Sequence, residues 1–352
     1  MMDNCFFEGK KVLITGHTGF KGSWLCQVLL EAGAMITGYA LEPPTRPSLF
    51  ELSGLEQHVE SIVGDIRDYT FLSGCMKKVK PDIVIHMAAQ PIVLTGYQNP
   101  RETYEVNVMG TVNLLEAIRQ IDSVRSFLNV TTDKVYQNHE WPWGYRENDV
   151  LNGSDPYSNS KSCSELVTMS YLNSFFANSN KIAISTARAG NVIGGGDYAD
   201  NRIIPDCVRA ALEHKEIVIR NPHSIRPYQH VLDPIFAYLT IVQKQYEDIT
   251  LAGNYNVGPE EADCIPTGQL VDLFCKFWGG DMKAKAEKIP YAPHEATFLK
   301  LDCSKIKSML DWKPRWNIEE AVKKTVELTK SIQEKADIAE AMTQQIKDYR
   351  EV

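Results

Sequence analysis

Eight cysteines are scattered through 352 residues, and none falls in a C-x-x-C pair. No His/Cys cluster has the spacing of a zinc site, which argues against a structural metal and for reduced, mostly buried thiols. No apolar run is long enough to span a bilayer. The first nine residues carry neither a basic stretch nor an apolar core of the kind that directs secretion. Basic charge is in deficit too: the formal net charge is -8, which excludes broad, nonspecific nucleic-acid binding. There are no internal repeats and no low-complexity segments. What remains is an ordinary globular composition, 43% hydrophobic and 23% charged. It is enough for two domains or one large α/β unit, and a cytoplasmic one.

The segments alternate. Lys11–Thr15, Met35–Leu41, Val59–Val63, Ile83–His86, Ser126–Val130 and Ile182–Thr186 read as strands. Phe20–Glu31, the stretch Arg101–Arg119 and Tyr157–Phe176 read as helices. Strands separated by helices, without hairpin turns, predict a Rossmann-type doubly wound parallel sheet. The character changes after Asn191, so a smaller C-terminal α/β substrate-binding lobe is expected. The division is residues 1–190 for the nucleotide-binding domain, with a return segment at about 231–256. The lobe takes 191–230 and 257–352. The tail, Ile318–Val352, reads as one charged amphipathic helix.

Two features carry chemistry. Gly16-His17-Thr18-Gly19-Phe20-Lys21-Gly22 joins the first strand to the first helix. Glycines at this junction allow a tight turn and let a pyrophosphate approach the helix N-terminus. The second feature is Tyr157-Ser158-Asn159-Ser160-Lys161, preceded by Thr131-Thr132-Asp133-Lys134-Val135-Tyr136. Tyr157 and Lys161, four apart on a helix, share a face. An ammonium beside a phenol favours the phenolate, so Tyr157 can act as a base near neutral pH. Asp155-Pro156 marks the helix start and puts Tyr157 in the first turn. A hydroxyl, a carboxylate and an amine at Thr132, Asp133 and Lys134 exceed what alcohol oxidation needs. They suggest oxidation of a sugar carbon followed by a second reaction beside it.

The cofactor is narrowed by the end of the second strand. Glu42 suits the ribose hydroxyls of NAD, whereas Arg46 suits the extra phosphate of NADP or is merely solvated. NAD is preferred, because a hydride lent and returned within one cycle needs no NADPH pool. Asp65 lies beside the adenine or serves a strand-end turn. Ala88 and Ala89 leave room for the cofactor against the backbone or reflect a tightly packed strand end. His86 reads as a packing residue.

These segments resemble the nucleotide-sugar 4,6-dehydratases of the extended short-chain dehydrogenase/reductase superfamily, and most specifically their CDP-glucose branch. The resemblance runs through GHTGFKGSWL (Gly16–Leu25), YALEPPTRPSLF (Tyr39–Phe50), AAQPIV (Ala88–Val93) and WGYRE (Trp143–Glu147). It continues in DPYSNSK (Asp155–Lys161), RAGNVIGGGD (Arg188–Asp197), RNPHSIRPYQHVL (Arg220–Leu232) and PHEATFLKLDCSK (Pro293–Lys305). It implies an NAD-dependent hydro-lyase. Tyr157 would take the proton of the sugar 4-hydroxyl, with Thr132 on the same oxygen and Lys161 beside it. Asp133 would protonate the departing 6-hydroxyl. Lys134, where many relatives have Glu, would be the base at C5 or an ammonium that stabilises the enolate. Gly16, Thr18, Gly19, Phe20, Gly22, Asp65, Ile66, Ala88, Ala89, Gln90 and Asn107 would hold NAD along with Tyr157 and Lys161. Asn191, Arg202, Arg226 and His294 would hold the nucleotide sugar. Dimers through the Arg101–Arg119 and Tyr157–Phe176 helices are also implied.

One departure bears on the substrate. The CDP-glucose branch usually has V-R-x-S-Y after Gln90, and here the run is Val93-Leu94-Thr95-Gly96-Tyr97. A dehydratase of another sugar nucleotide, or a 4-epimerase or reductase on the same scaffold, is the alternative.

Overall fold

The computed structural model describes residues 2–177, 181–280, 282–287 and 297–352. Seven strands form one sheet. The strand order is Asn254–Val257, β6 (Ala183–Ala189), β5 (Ser126–Thr132), β4 (Ile83–His86), β1 (Lys11–Thr15), β2 (Met35–Ala40), β3 (Glu60–Val63). Every neighbouring pair is parallel. The sheet is thus doubly wound, and its order reverses between β1 and β4, where such sheets open a crevice at their carboxyl ends.

Alternation along each strand feeds two cores. Val12 and Ile14 join the larger core with Trp24, Leu25, Val28, Ile85, Leu128 and the helix Leu232–Glu247. Leu13 faces the other side with Val84, Phe127, Ile184, Leu114 and Leu115. Strands buried on both faces can be apolar along their length, as Val12–Ile14 of β1 and Ile83–Ile85 of β4 are. A third core holds the lobe: Ile204, Cys207, Ile217, Ile219, Leu270, Phe274, Ile318 and Val322. It joins the helices Ile203–Leu212, Thr267–Trp278 and Ile318–Gln333.

Two segments depart from the sequence reading. Arg101–Arg119 is not one α-helix: Glu105–Met109 forms a wider π turn between Pro100–Tyr104 and Gly110–Arg119. The tail is two helices, Ile318–Gln333 and Ile338–Glu351. Lys335 takes a left-handed conformation (φ 55°) and Asp337 caps the second helix by accepting from the Glu340 N–H. That last helix packs on Phe20–Glu31 in the nucleotide-binding half, with Ile338, Met342, Ile346 and Tyr349 inside the larger core. No helix among the described residues is long and apolar enough to cross a membrane. No cluster of His, Cys, Asp and Glu among them could hold a metal.

Candidate active site

A cleft of about 810 Å³ opens at the carboxyl ends of the strands, between the sheet and the lobe. Its first wall is the glycine-rich turn. Gly16 has φ 78°, and a Cβ there would come within 2.8 Å of the Ala88 nitrogen. A Cβ on Gly22 would lie 2.4 Å from the Gly16 carbonyl oxygen. Turn and helix therefore meet at a distance only glycine allows. Gly19 caps Phe20–Glu31 without a side chain. The first N–H groups of that helix are left to face the cleft, as anion binding requires. Thr18 is turned aside and donates its hydroxyl to the Leu41 carbonyl, 2.9 Å away.

Glu42, Asp65 and Ile66 line the same end, and Arg46 is not among the lining residues. Ala88 and Ala89 line the wall beside the turn. Gln90 and Asn107, read from sequence as cofactor ligands, sit behind that wall. Asn107 is buried on the π turn, accepts from the Gln90 N–H at 2.9 Å and donates to Ser160 at 2.9 Å. The Gln90 side chain turns back to Thr103 and the Ile92 N–H. Both brace the strand-end loop.

The far wall carries the acid and base groups. β5 ends at Thr132, and the chain turns so that Asp133 is buried and Lys134 half-buried. Thr132 donates to Asp133 Oδ1 at 2.9 Å. Oδ2 of Asp133 has no partner among the described residues. Burial pushes this carboxyl above the usual range, against the charge of Lys134 and the Thr132 bond. Opposite stands the helix Pro156–Tyr171, capped by Asp155, which accepts from the Ser158 N–H at 3.0 Å. Tyr157 leans into the cleft from its first turn. Lys161, one turn on, is buried and donates to the Val130 carbonyl at 3.1 Å.

The electrostatics correct one expectation. Burial pushes the Tyr157 phenol up to about 12. The groups pulling it back are the Thr132 hydroxyl and the Arg202 charge. Lys161 is tied to a carbonyl, and burial draws its own amine down to about 8, against the charge of Glu165. The shared helical face is real, but desolvation of both groups outweighs the attraction the spacing suggested.

Asn191, Arg202 and Arg226 reach the cleft from the lobe side. Arg202 pairs with Asp197 at 3.2 Å, and Arg226 is buried. His294 lies outside the described residues. Sequence reasoning missed several lining residues. Ser224, Tyr228 and Thr267 form a hydroxyl cluster with 2.9 Å bonds. Arg220 reaches Asn201 at 3.1 Å. Lys21, to which sequence reasoning assigned no role, lines the cleft. Leu94 also lines it, and a Cβ on Gly96 would lie 3.2 Å from the Tyr157 nitrogen.

Comparison with known proteins gives this geometry its kin. A family model described as GDP-mannose 4,6 dehydratase matches residues 13–325. The chain is 46% identical to CDP-glucose 4,6-dehydratase of Salmonella typhimurium, over 99% of this chain and 98% of that one. It is 27% identical to CDP-paratose 2-epimerase of Salmonella typhi, over 92% and 100%. Among solved structures, dTDP-glucose 4,6-dehydratase from Bacillus anthracis in complex with NAD has a TM-score of 0.78. It covers 94% of this chain and 100% of its own at 21% identity, a likeness of fold. The chain belongs to the GDP-mannose 4,6 dehydratase family, within the NAD-dependent nucleotide-sugar dehydratases and epimerases of the extended short-chain dehydrogenase/reductase superfamily.

Proposed function

We propose that this enzyme is a 4,6-dehydratase of CDP-D-glucose, giving CDP-4-keto-6-deoxy-D-glucose. The observation that carries the reading is the meeting of Thr132, Asp133 and Lys134 with Tyr157 and Lys161 in one cleft. The high identity to an enzyme of that name supports the choice of substrate. An epimerase or reductase needs the tyrosine but has no use for an acid/base pair over C5 and C6.

NAD would supply a hydride acceptor for C4 and a hydride donor for C6. Gly16, Thr18, Gly19, Phe20 and Gly22 would cradle its diphosphate, with Glu42 at the ribose, Asp65 and Ile66 at the adenine, and Ala88 and Ala89 alongside. Glycines whose Cβ atoms would collide with backbone, and uncapped helical N–H groups, fit such a group. Tyr157 would take the 4-hydroxyl proton while Thr132 holds the same oxygen; the positive charge of oxidised nicotinamide beside the phenol would favour its ionised form against the burial that raises it. The ketone formed at C4 acidifies the C5 proton, because loss of that proton gives an enolate. Lys134 removes it, or steadies the enolate as an ammonium. Asp133 protonates the 6-hydroxyl as it leaves as water; its raised pKa keeps a proton available. Asn191, Arg202 and Arg226 bind the nucleotide diphosphate, where guanidinium forks match phosphate oxygens.

Exposed Met109, Leu166, Met169 and Phe175 lie on the two helices proposed to pair in a homodimer. The enzyme would work in the cytoplasm, with NAD and sugar nucleotides at hand.

Incubation with CDP-, dTDP-, GDP- and UDP-glucose, with mass analysis of the products, tests the reading. Loss of one water from the CDP sugar is expected. An unchanged mass with an inverted C4 centre would overturn it in favour of an epimerase. Lys134→Met should oxidise C4 and stall there, so that absorbance of reduced nicotinamide builds up on the protein. Full turnover in that variant would remove Lys134 from the mechanism.

A further inference from the structure

Lys21 is placed where a lysine is costly. It occupies the first turn of Phe20–Glu31, which contains no acidic residue. Cations are disfavoured at that end of a helix. Its amine donates to the Tyr238 hydroxyl at 3.2 Å, and Tyr238 is fully buried on Leu232–Glu247. A phenol does not neutralise an ammonium. Four groups face it from the surrounding elements. Asp133 follows β5, Lys161 lies on Pro156–Tyr171, Arg202 precedes Ile203–Leu212 and Tyr238 lies beneath. Tyr157 stands next to this group and acts on Tyr238. Two of these neighbours are cations and one is a carboxylate. Burial, then the charges of Arg202 and Lys161, draw the Lys21 amine down to about 7, against the charge of Asp133.

The amine is therefore at the reaction end of the cleft, grouped with the catalytic cluster. The nicotinamide has to lie at this end, because Tyr157 works on the atom bonded to the carbon that gives up hydride. Oxidised nicotinamide carries a positive charge there, and reduced nicotinamide carries none. We propose that Lys21 faces the nicotinamide and couples its own proton to the cofactor's redox state, favouring the reduced form when it is an ammonium. This rests on the NAD reading above. The coupling is reciprocal: removing the positive charge of the ring raises the proton affinity of the amine, and protonating the amine disfavours that charge. The amine thus eases hydride transfer from C4, and Tyr238 positions it.

Binding of the two cofactor forms tests this without turnover. Dissociation constants for NAD⁺ and NADH are measured on cofactor-stripped enzyme between about pH 6 and pH 9. In the wild type the ratio Kd(NAD⁺)/Kd(NADH) should rise by on the order of tenfold as pH falls through about 7. Lys21→Met should lose that rise. Lys21→Arg should hold the low-pH ratio throughout. A separate limb near pH 8, from Lys161, should persist in all three. A ratio unmoved by either substitution, with both forms still binding, would mean that Lys21 only packs against Tyr238, and would overturn the inference. If neither form bound the wild type, the NAD reading would fall and this with it.

Discussion

Two carboxylates lie equally deep beneath the cleft and are treated in opposite ways. Glu165 is fully buried, and each of its oxygens is satisfied. Oε1 accepts from Thr131 at 2.5 Å and Arg188 Nε at 2.9 Å; Oε2 accepts from Thr186 and Arg188 Nη2, both at 2.8 Å. Arg188 is in turn held by the Tyr136 hydroxyl and the Glu147 carbonyl. Asp133 is 1% exposed and satisfied on one side, with Oδ2 unpartnered. The space beside it exists because residue 190 is glycine: a Cβ there would lie 3.0 Å from that oxygen. A paired buried ion fixes strands and helix in register. An unpaired one has its proton raised and its oxygen kept open, which suits chemistry rather than architecture.

The sharpest way to break this contrast is Asp133→Asn. Turnover should fall by about 10²- to 10⁴-fold, the usual worth of a general acid. Stability at about pH 8 should not fall, and should rise by about 1 kcal/mol, because a carboxyl with an unsatisfied oxygen is replaced by an uncharged amide. The pH sign follows from the raised pKa. The folded protein holds the Asp133 proton more tightly than the unfolded chain does. Its contribution is present below about pH 4 and is lost as pH climbs through the folded value. The wild type should therefore lose stability relative to the variant over that rise, in thermal melts across pH. Near-normal turnover in the variant would make Asp133 an architectural residue like Glu165.

Arg188→Met probes the other side. It leaves Glu165 as a buried charge without its ion pair, and a loss of about 3–5 kcal/mol in unfolding free energy is expected. Turnover per folded molecule should change far less. Equal losses of stability and of turnover would erase the distinction between the two networks.

How much of this was readable beforehand follows the same division. The glycine turn, the strand ends and the Tyr157–Lys161 spacing are local. They depend on backbone geometry or on four-residue periodicity, and both are written in the chain. What lay beyond reach was depth. Spacing placed Tyr157 and Lys161 on one face but gave no hint that burial would hold the phenol at about 12. It assigned no role to Lys21, since nothing local shows which way the first turn of that helix faces. Gln90 and Asn107 carry suitable side chains at suitable positions, yet the Asn107 amide is spent on the Gln90 backbone and the Gln90 amide on Thr103 and the Ile92 N–H. The π turn at Glu105–Met109 keeps helical periodicity and hides in it. The break at Lys335 contains neither glycine nor proline, and the docking of the last helix on Phe20–Glu31 is a contact across nearly the whole chain.

Arg202 supplies a third case, a charge neither sealed in nor free. Its side chain is 36% exposed and paired with Asp197, whose side chain is 4% exposed. Solvent screening at that exposure keeps its reach small. It nonetheless pulls the Tyr157 phenol down. Arg202→Gln should therefore move the phenol up, and the limb of the rate profile that follows phenolate formation should shift to higher pH by a few tenths of a unit. Raising the salt concentration should shift the wild-type limb in the same direction and leave the variant's limb nearly still, because an exposed charge is screened and an absent one cannot be. KM should rise by roughly tenfold if the same guanidinium also grips a phosphate. A shift in the limb without a change in KM would confine Arg202 to tuning the tyrosine and assign the diphosphate to the buried Arg226.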